Sequence, residues 1–459
     1  MQLSRFVPGV AYFTSEIKIL AIKISALELF AIKQLRSVIV LATVIIIFGT
    51  AMAPAYSVLT HEQVIDLLWK DRIEPMLRKR FPQATDEDLR KAHAFAYGGS
   101  LVQDMGYYPF GNKFFSDLVH YVRTGDFVLA LIKDSSDLNE YAFSLGALAH
   151  YVSDNTGHPT INRVVAIEFP KLRKKFGNEV TYADDPKAHI RTEFGFDMVQ
   201  VAKNRYTSDR YHDFIGFEVA KPLLERAFFE TYALKLSDVF GDEDLAIGTF
   251  RRSVSNIIPE MTRVALLSRK DQMIKEDPTF DRKKFLYYLS RTDYQKEWGK
   301  GYRRPGLRQR ILAWILKIMP KIGPFRALEF KIPTTQTEDM YIKSVNQTVE
   351  DFQTTLRQAD REALHLENRD CDTGRETSPG EYRLGDKTYA ELLDKLAQRN
   401  FDQVSPDLRA NILSYYADPR LLLSAGNGKK DKDKYKMDWA KIEKQIDQLK
   451  AYSATVAGE

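Results

Sequence analysis

Residues 150–158 read HYVSDNTGH, and this stretch decides how the rest of the chain is interpreted. It places His150, Asp154 and His158 at successive spacings of four residues. On a helix, positions four apart lie on one face with their Cβ atoms about 6 Å apart, so His150 and Asp154 are expected to hold one metal ion. A glycine and a proline flank His158, which predicts that the helix ends there and that His158 reaches a neighbouring ion.

A pair such as His150 and Asp154 is by itself more often a packing or surface pair than a ligand pair. Here the pattern recurs, because His189 and Glu193 repeat an imidazole and a carboxylate four residues apart. Imidazole with carboxylate is a standard combination of zinc ligands. Buried groups of these types are costly unless they are paired or bound to metal, so their concentration favours a metal cluster. The five histidines and three carboxylates fall within 133 positions: His61, Asp104, His120, His150, Asp154, His158, His189 and Glu193.

The wider sequence predicts an all-α fold. Apolar residues recur at three or four positions in 64–68, 114–121 and 143–149, whereas alternating β-branched runs are sparse. The 459 residues, 44% of them hydrophobic, allow a large core and two or three domains. We expect a metal-binding catalytic helical domain over residues 56–270. The net charge of +5 is modest and does not require a nucleic-acid-binding surface.

The N-terminal region has the pattern of a targeting segment. Residues 37–55, SVIVLATVIIIFGTAMAPA, combine an apolar run with a small-x-small ending, which is the shape of a secretory signal. The run is short for a membrane span, which needs about 20 apolar residues. We therefore expect residues 1–55 to direct secretion or periplasmic export, with an uncleaved membrane anchor as the alternative. A leader of this length before a signal is unusual, so we expect the true start to lie nearer Leu35 and residues 1–34 to be spurious.

Two further parts are predicted beyond residue 270. Residues 271–365 form a basic helical extension, since 281–330 holds thirteen basic and four acidic residues. Within it, 307–319 has the pattern of a basic amphipathic helix with Trp314 on its apolar face, as in helices that lie in a membrane interface. A helix docked on the protein's own core is the commoner meaning of that pattern. Residues 366–459 read as a polar linker followed by C-terminal helices.

The order of the candidate ligands resembles that of the zinc-dependent phospholipase C family, which is related to nucleases of the S1/P1 type. In that family a metal-binding N-terminal residue precedes His, Asp, His, then a His-Tyr-x-small-Asp helix followed by His, then HisxxxGlu. The resemblance covers about residues 56–215, and Asn162 matches the family's His-x-x-x-Asn ending. It implies a multi-helix fold, about three zinc ions, and hydrolysis of a phospholipid at its phosphodiester.

The resemblance also implies a role for each residue. Asp104 would ligate zinc and assist in deprotonating water. Asp154 would bridge the first zinc to a second one, held by His61 and by the freed N-terminus at Tyr56. The first zinc would be surrounded by Asp104, His120, His150 and Asp154, and the third by His158, His189 and Glu193.

The sequence departs from the family pattern in two places. The family separates the helix Asp from the next His by six positions with a Pro between them, whereas Asp154 and His158 are four apart with Gly157 between. The family's N-terminal ligand is Trp, whereas Tyr56 is the predicted first residue here and lies only five positions before His61.

The sequence leaves three functions open. The leading one is an exported zinc-dependent phosphodiesterase of the phospholipase C type, with a phospholipid as substrate, possible peripheral membrane contact and no stable nucleic-acid partner. An S1/P1-like nuclease is the first alternative, although its last ligand is typically Asp where this chain has Glu193. The second alternative is an exported protein that binds metal without catalysis. Eight ligands spread over three metals leave coordination positions for water, which favours catalysis.

Overall fold

The computed structural model describes residues 58–202, 217–254, 258, 330–418 and 439–452. All of these residues belong to one compact unit. Within them the fold is all-α, as predicted, and strands are confined to one two-residue antiparallel hairpin.

Fifteen α-helices and two short strands make up the described part of the chain. They are α1 (Val58–Leu68), α2 (Glu74–Arg80), α3 (Asp86–Gly99), α4 (Lys113–Tyr121), α5 (Thr124–Asp134), α6 (Leu138–Glu168), α7 (Pro170–Phe176), α8 (Pro186–Ala202), α9 (Lys221–Tyr232), α10 (Leu236–Val239), α11 (Glu243–Arg252), α12 (Thr335–Asp360), β1 (Arg369–Asp370), β2 (Arg375–Glu376), α13 (Arg383–Gln398), α14 (Pro406–Tyr415) and α15 (Trp439–Ala451). A short π-helix, Trp69–Ile73, joins α1 to α2, and a 3₁₀ helix, Val102–Tyr107, follows α3.

Helix α6 is the central element of the fold. It begins at Asp137, whose side chain caps it by accepting the backbone N–H groups of Asn139 and Glu140. Its side chains are buried around most of its circumference, as expected of a helix surrounded by others. Helices α3, α5, α8 and α12 all pack against it. A helix enclosed in this way can hold polar side chains out of reach of bulk water.

Helices α3 and α6 approach each other at the backbone level. A Cβ atom on Gly146 would lie 2.0 Å from the carbonyl oxygen of Ala96, and one on Gly99 would lie 1.9 Å from that of Phe143. Glycine is therefore required at both positions because no side-chain atom fits between the helices. The close approach brings the end of α3, and the 3₁₀ helix after it, directly onto α6.

The C-terminal region packs on the same core. The Tyr341 hydroxyl of α12 lies 2.6 Å from the Thr60 hydroxyl of α1, and the Phe352 and Leu356 side chains join the main apolar core. The segment that the sequence suggests is a linker contains buried residues at 370–372, within the β1–β2 hairpin. It is therefore a packed loop in contact with the helices that carry the candidate ligands.

The expected end of the helix near His158 is wrong. Helix α6 continues to Glu168, with Pro159 inside it. Proline removes one helical hydrogen bond, that to the carbonyl of Asn155. The hairpin residue Gly374 packs against this carbonyl, at a position where a Cβ atom would lie only 2.4 Å from the oxygen. Tertiary packing thus covers the interrupted turn, and His158 stays on the same helix as Asp154.

Several expectations lie outside the described residues: the targeting segment 1–55, the candidate ligand Tyr56 and the amphipathic stretch 307–319. Among the helices that are described, none combines the length and apolar character that crossing a bilayer requires.

The close contact between α3 and α6 predicts that Gly146→Ala lowers the free energy of unfolding by about 1–3 kcal/mol, because the added methyl group must displace the α3 backbone. The matched control is Gly248→Ala in α11, where an added Cβ meets nothing within 4 Å. That change should be neutral or stabilising by up to about 1 kcal/mol. Denaturant unfolding of both variants measures the difference, and equal stabilities would contradict the packing argument.

Candidate metal centre

Helix α6 carries three of the predicted ligands on one buried face. His150, Asp154 and His158 follow one another at spacings of four, so their side chains project in nearly the same direction. Around them the fold brings the five other described candidates from α1, the 3₁₀ helix, α4 and α8. All eight side chains are 3% exposed or less.

Two histidines are held with their Nε2 atoms pointing at each other. His120 donates its Nδ1 proton to the carbonyl of Ser116 at 2.7 Å, and His150 donates its own to the carbonyl of Ser100 at 2.9 Å. In the neutral rings both Nε2 atoms then carry lone pairs, yet they lie only 3.2 Å apart. Two facing lone pairs in a buried site are stable only with a positive charge between or beside them, which a metal ion or a proton can supply. Backbone carbonyls that fix the ring tautomer are a usual accompaniment of metal-ligating histidines.

Two carboxylates, those of Asp104 and Asp154, lie close to this pair of histidines. The Oδ2 atom of Asp154 is 3.1 Å from His150 Nε2 and 3.4 Å from His120 Nε2, and Asp104 Oδ1 is 3.5 Å from His120 Nε2. Two ligands of one tetrahedral zinc, each 2.0–2.1 Å from the ion, lie about 3.4 Å apart. The separations among His120, His150 and Asp154 therefore fit three ligands of a single ion, and Asp104 lies beside them.

The second oxygen of Asp154 faces a different histidine. Its Oδ1 atom lies 3.6 Å from His61 Nε2, and the His61 ring stacks on the His150 ring with centroids 4.4 Å apart. Ligand atoms of His61, Asp104 and His150 lie within 4.8 Å of one another. Asp154 is therefore placed so that one carboxylate can bridge two ions.

The remaining candidates lie further along α6 and on α8. His189 donates Nε2–H to the carbonyl of Val180 at 2.5 Å, which turns its Nδ1 lone pair toward Glu193 Oε1 at 3.3 Å. The His158 ring is 6.2 Å from the His189 ring, centroid to centroid. Neither nitrogen of His158 has a hydrogen-bond partner within the described residues. This trio is more open than the first group, but it presents the same types of ligand.

The unsatisfied atoms fit a metal better than they fit a hydrogen-bond network. Within the described residues, both oxygens of Asp104, both oxygens of Asp154 and Oε2 of Glu193 are buried without a hydrogen-bond donor. Leaving one such group unpaired costs several kcal/mol, so a cluster of them is sustained only when cations supply the missing charge. Nitrogen and carboxylate oxygen are the ligands that zinc takes.

The pKa values of the metal-free cluster show the same conflict. Burial raises the pKa of Asp104 to about 7, against the opposing charges of His150 and His120. Burial lowers the pKa of His120, but the nearby carboxylates of Asp154 and Asp104 outweigh that effect and raise the pKa to about 9.

At the α8 pair both groups are driven to their neutral forms. Burial, reinforced by the charge of His158, lowers the pKa of His189 to about 4. Burial and the nearby carboxylates raise the pKa of Glu193 well above its usual value. Because zinc binds the deprotonated carboxylate, metal uptake at this pair is coupled to proton release.

One residue that lies at the site is not predicted by the sequence pattern. Asp372, in the turn between β1 and β2, is 3% exposed, and its Oδ1 atom lies 3.5 Å from His158 Nδ1. Nothing in its spacing relates it to the other candidates, because it comes 179 positions after Glu193. The one available signal was Cys371 beside it, since cysteine is among the most often buried residues and is unusual in a solvated loop.

The remaining histidine of the described helical region has a packing role. His93 stacks on Trp69 with centroids 3.8 Å apart and lies 3.0 Å from a carboxylate oxygen of Asp66. His93 therefore packs in the protein and is not one of the candidate ligands.

Comparison with known proteins now identifies the helical region. Residues 60–241 match the family model described as zinc dependent phospholipase C. This part of the chain is therefore similar to the zinc-dependent phospholipase C family, and we call residues 60–241 the phospholipase C domain. The match indicates a zinc-dependent hydrolase of phosphodiesters, with phospholipids as the substrate class. Neither the comparison with curated proteins nor that with solved structures found a match. The matched range includes every predicted ligand from His61 to Glu193 and ends well before Asp372.

The geometry of the phospholipase C domain predicts that Asp154→Asn removes at least one zinc ion per chain, because the amide lacks the charge and the second ligand oxygen that the bridging position needs. The matched control on the same helix is Asp137→Asn, since asparagine also caps a helix N-terminus. Metal content after dialysis, measured by plasma mass spectrometry, distinguishes the two. Equal zinc in Asp154→Asn and in the unaltered protein would contradict the assignment.

Proposed function

We propose that this protein is an exported phospholipase C that hydrolyses phospholipids at a site of three zinc ions. The first ion is held by Asp104, His120, His150 and Asp154. The second is held by Asp154 and His61, together with the freed N-terminus at Tyr56, and the third by His158, His189 and Glu193. The observation that carries the proposal is the buried cluster around Asp154, whose nitrogen and oxygen atoms lie 3.1–3.6 Å apart without hydrogen bonds to satisfy the carboxylate.

Zinc bound in such a cluster lowers the pKa of a coordinated water and neutralises charge on the phosphate oxygens. The protein's own contribution is to hold the ligands rigidly. His120 and His150 are fixed by backbone carbonyls, and Asp154 is fixed by its position on a helix that is buried around most of its circumference. Preorganised charge of this kind accounts for much of the rate enhancement in many enzymes.

Asp104 is proposed as the catalytic carboxylate. Its Oδ1 atom faces His120 at 3.5 Å, and its Oδ2 atom has no hydrogen-bond donor among the described residues. One oxygen is therefore positioned as a ligand while the other remains able to accept a proton from water. A general base must lie within hydrogen-bonding reach of the proton that it takes, and Asp104 lies within the candidate cluster, where water would be activated.

Two observations support a lipid rather than a nucleic acid as substrate. Glu193 occupies the position where nucleases of the S1/P1 type typically have Asp. The loop that follows the Asp104 segment exposes Phe110, whose side chain is 59% accessible six residues after the carboxylate. Tyr107 and Tyr108 in between are buried: Tyr108 packs edge-on against Phe250 in the core, and the Tyr107 ring lies 5.9 Å from that of His120, centroid to centroid. An exposed phenylalanine so near Asp104 in the sequence suits contact with acyl chains.

Export and membrane contact rest on the sequence alone. The apolar run and small-x-small ending within 37–55 support removal of the first 55 residues, which would free Tyr56 as a ligand. The amphipathic stretch 307–319 supports peripheral contact with a membrane.

The test is an assay of the full chain, after processing in an exporting host, on two substrates. We expect release of phosphorylated headgroup from phosphatidylcholine vesicles, abolished by a chelator and restored by zinc, with little release of nucleotides from single-stranded DNA. Asp104→Asn should lower the rate by a factor of at least about 100. A positioned general base contributes about 100-fold to 10,000-fold to the rate. Asp137→Asn, away from the cluster, should retain full activity.

Each other outcome points to a different protein. Zinc-dependent cleavage of DNA with no action on vesicles would identify a nuclease. About three zinc ions per chain without hydrolysis of either substrate would leave a metal-binding protein, and less than one zinc per chain would reject the trinuclear site.

A further inference from the structure

Asp372 lies in the site but outside the part of the chain that matches the phospholipase C family. It comes from the β1–β2 turn, and its two oxygens have different environments. The Oδ2 atom accepts hydrogen bonds from the hydroxyls of Tyr121, at 2.9 Å, and Tyr382. The Oδ1 atom faces His158 Nδ1 at 3.5 Å. The hydrogen bonds to Oδ2 therefore fix the carboxylate so that Oδ1 points into the cluster.

The backbone at this position is held by the same elements that carry the ligands. The N–H of Cys371 donates to the carbonyl of His120 at 3.0 Å. The side chain of Asn162, on α6, donates to the carbonyl of Asp372 at 2.8 Å. Asp370 accepts the N–H of Asp372 at 2.8 Å and so closes the turn. Asp372 is thus presented by a built loop, and its place does not depend on a flexible surface segment.

No lysine or arginine among the described residues forms an ion pair with Asp372. Within the described residues, the one basic group within 4.0 Å is the imidazole of His158, whose two nitrogens have no hydrogen-bond partners. The separation of 3.5 Å is too long for a good hydrogen bond but is close to the spacing of about 3.4 Å between two ligands of one tetrahedral zinc. His189 and Glu193 face each other at a similar 3.3 Å.

We propose that Asp372 Oδ1 is a further ligand of the metal ion held by His158, His189 and Glu193. This inference rests on the proposed function, because it assumes that an ion binds there. With Asp372, two imidazoles and two carboxylates would hold this ion, which is the number of ligands that zinc takes in closed sites. The C-terminal region then supplies part of the metal centre itself, and residues 60–241 alone hold an incomplete third position.

The test compares Asp372→Asn with the unaltered full chain. Asparagine keeps the shape of the side chain, and its amide oxygen can still accept from Tyr121 and Tyr382, so the loop should keep its conformation. We expect one of about three zinc ions to be lost on dialysis, or its affinity in chelator competition to fall by a factor of at least about 100. The matched control is Asp386→Asn, which changes another buried carboxyl group of the same region. Asp386 accepts hydrogen bonds from the Gly380 N–H and the Tyr415 hydroxyl, and neither partner is a histidine. This variant should keep all its zinc.

A second measurement separates a ligand from a residue that only braces the loop. Thermal unfolding is followed for both variants with and without zinc. If Asp372 is a ligand, the metal-free Asp372→Asn protein should be at least as stable as the metal-free unaltered protein, because a buried acidic side chain that faces no lysine or arginine is gone, while zinc should stabilise it less. A residue that only braces the loop would give equal destabilisation in both states, and that result would overturn the inference.

The failures of the two proposals are distinguishable. Unaltered protein with less than one zinc per chain would reject the trinuclear site and this inference with it. Unaltered protein and Asp372→Asn that both hold about three zinc ions with equal affinity would reject the inference alone.

Discussion

The structure depends most on the buried carboxylate of Asp154. It lies in the middle of the enclosed helix α6, and its two oxygens face His61 on one side and His120 and His150 on the other. No lysine or arginine of the described chain forms an ion pair with it, so the charge has to be balanced by cations. We expect a cluster of facing lone pairs and carboxylates to be strongly stabilised by metal, and the packing of the helices around α6 to be coupled to metal binding.

The packing of α6 explains why this arrangement is rigid. Glycines at the crossing of α3 and α6 bring the two backbones into contact, and the 3₁₀ helix with Asp104 follows directly from that crossing. The histidine rings on α4 and α6 are then fixed through carbonyls of neighbouring turns. The contact between the two backbones thus positions the helices and the carbonyl groups that they carry. These carbonyls in turn orient the histidine rings toward the centre of the candidate cluster.

The C-terminal region has a direct relation to this centre. Helix α12 lies against α6, and the β1–β2 hairpin rests on the turn of α6 that Pro159 interrupts. The same hairpin brings Asp372 to His158. A polar, turn-rich stretch that is expected to be a linker thus fills a gap in the helix packing and reaches the ligands, which gives the chain beyond the phospholipase C domain a structural purpose at the site.

The helical class, the similarity to the zinc-dependent phospholipase C family and the local pairs of candidate ligands follow from the amino-acid sequence alone. Spacings of four residues, as in His150 with Asp154 and His189 with Glu193, are set by the geometry of one helix and need no tertiary information. Two features depend on contacts between distant segments and appear only in the folded chain. Helix α6 runs through Pro159 because the hairpin covers the exposed carbonyl, and Asp372 lies beside the cluster. Its approach to His158 spans more than two hundred positions of chain. No local periodicity encodes such a contact, because it arises from the packing of whole elements.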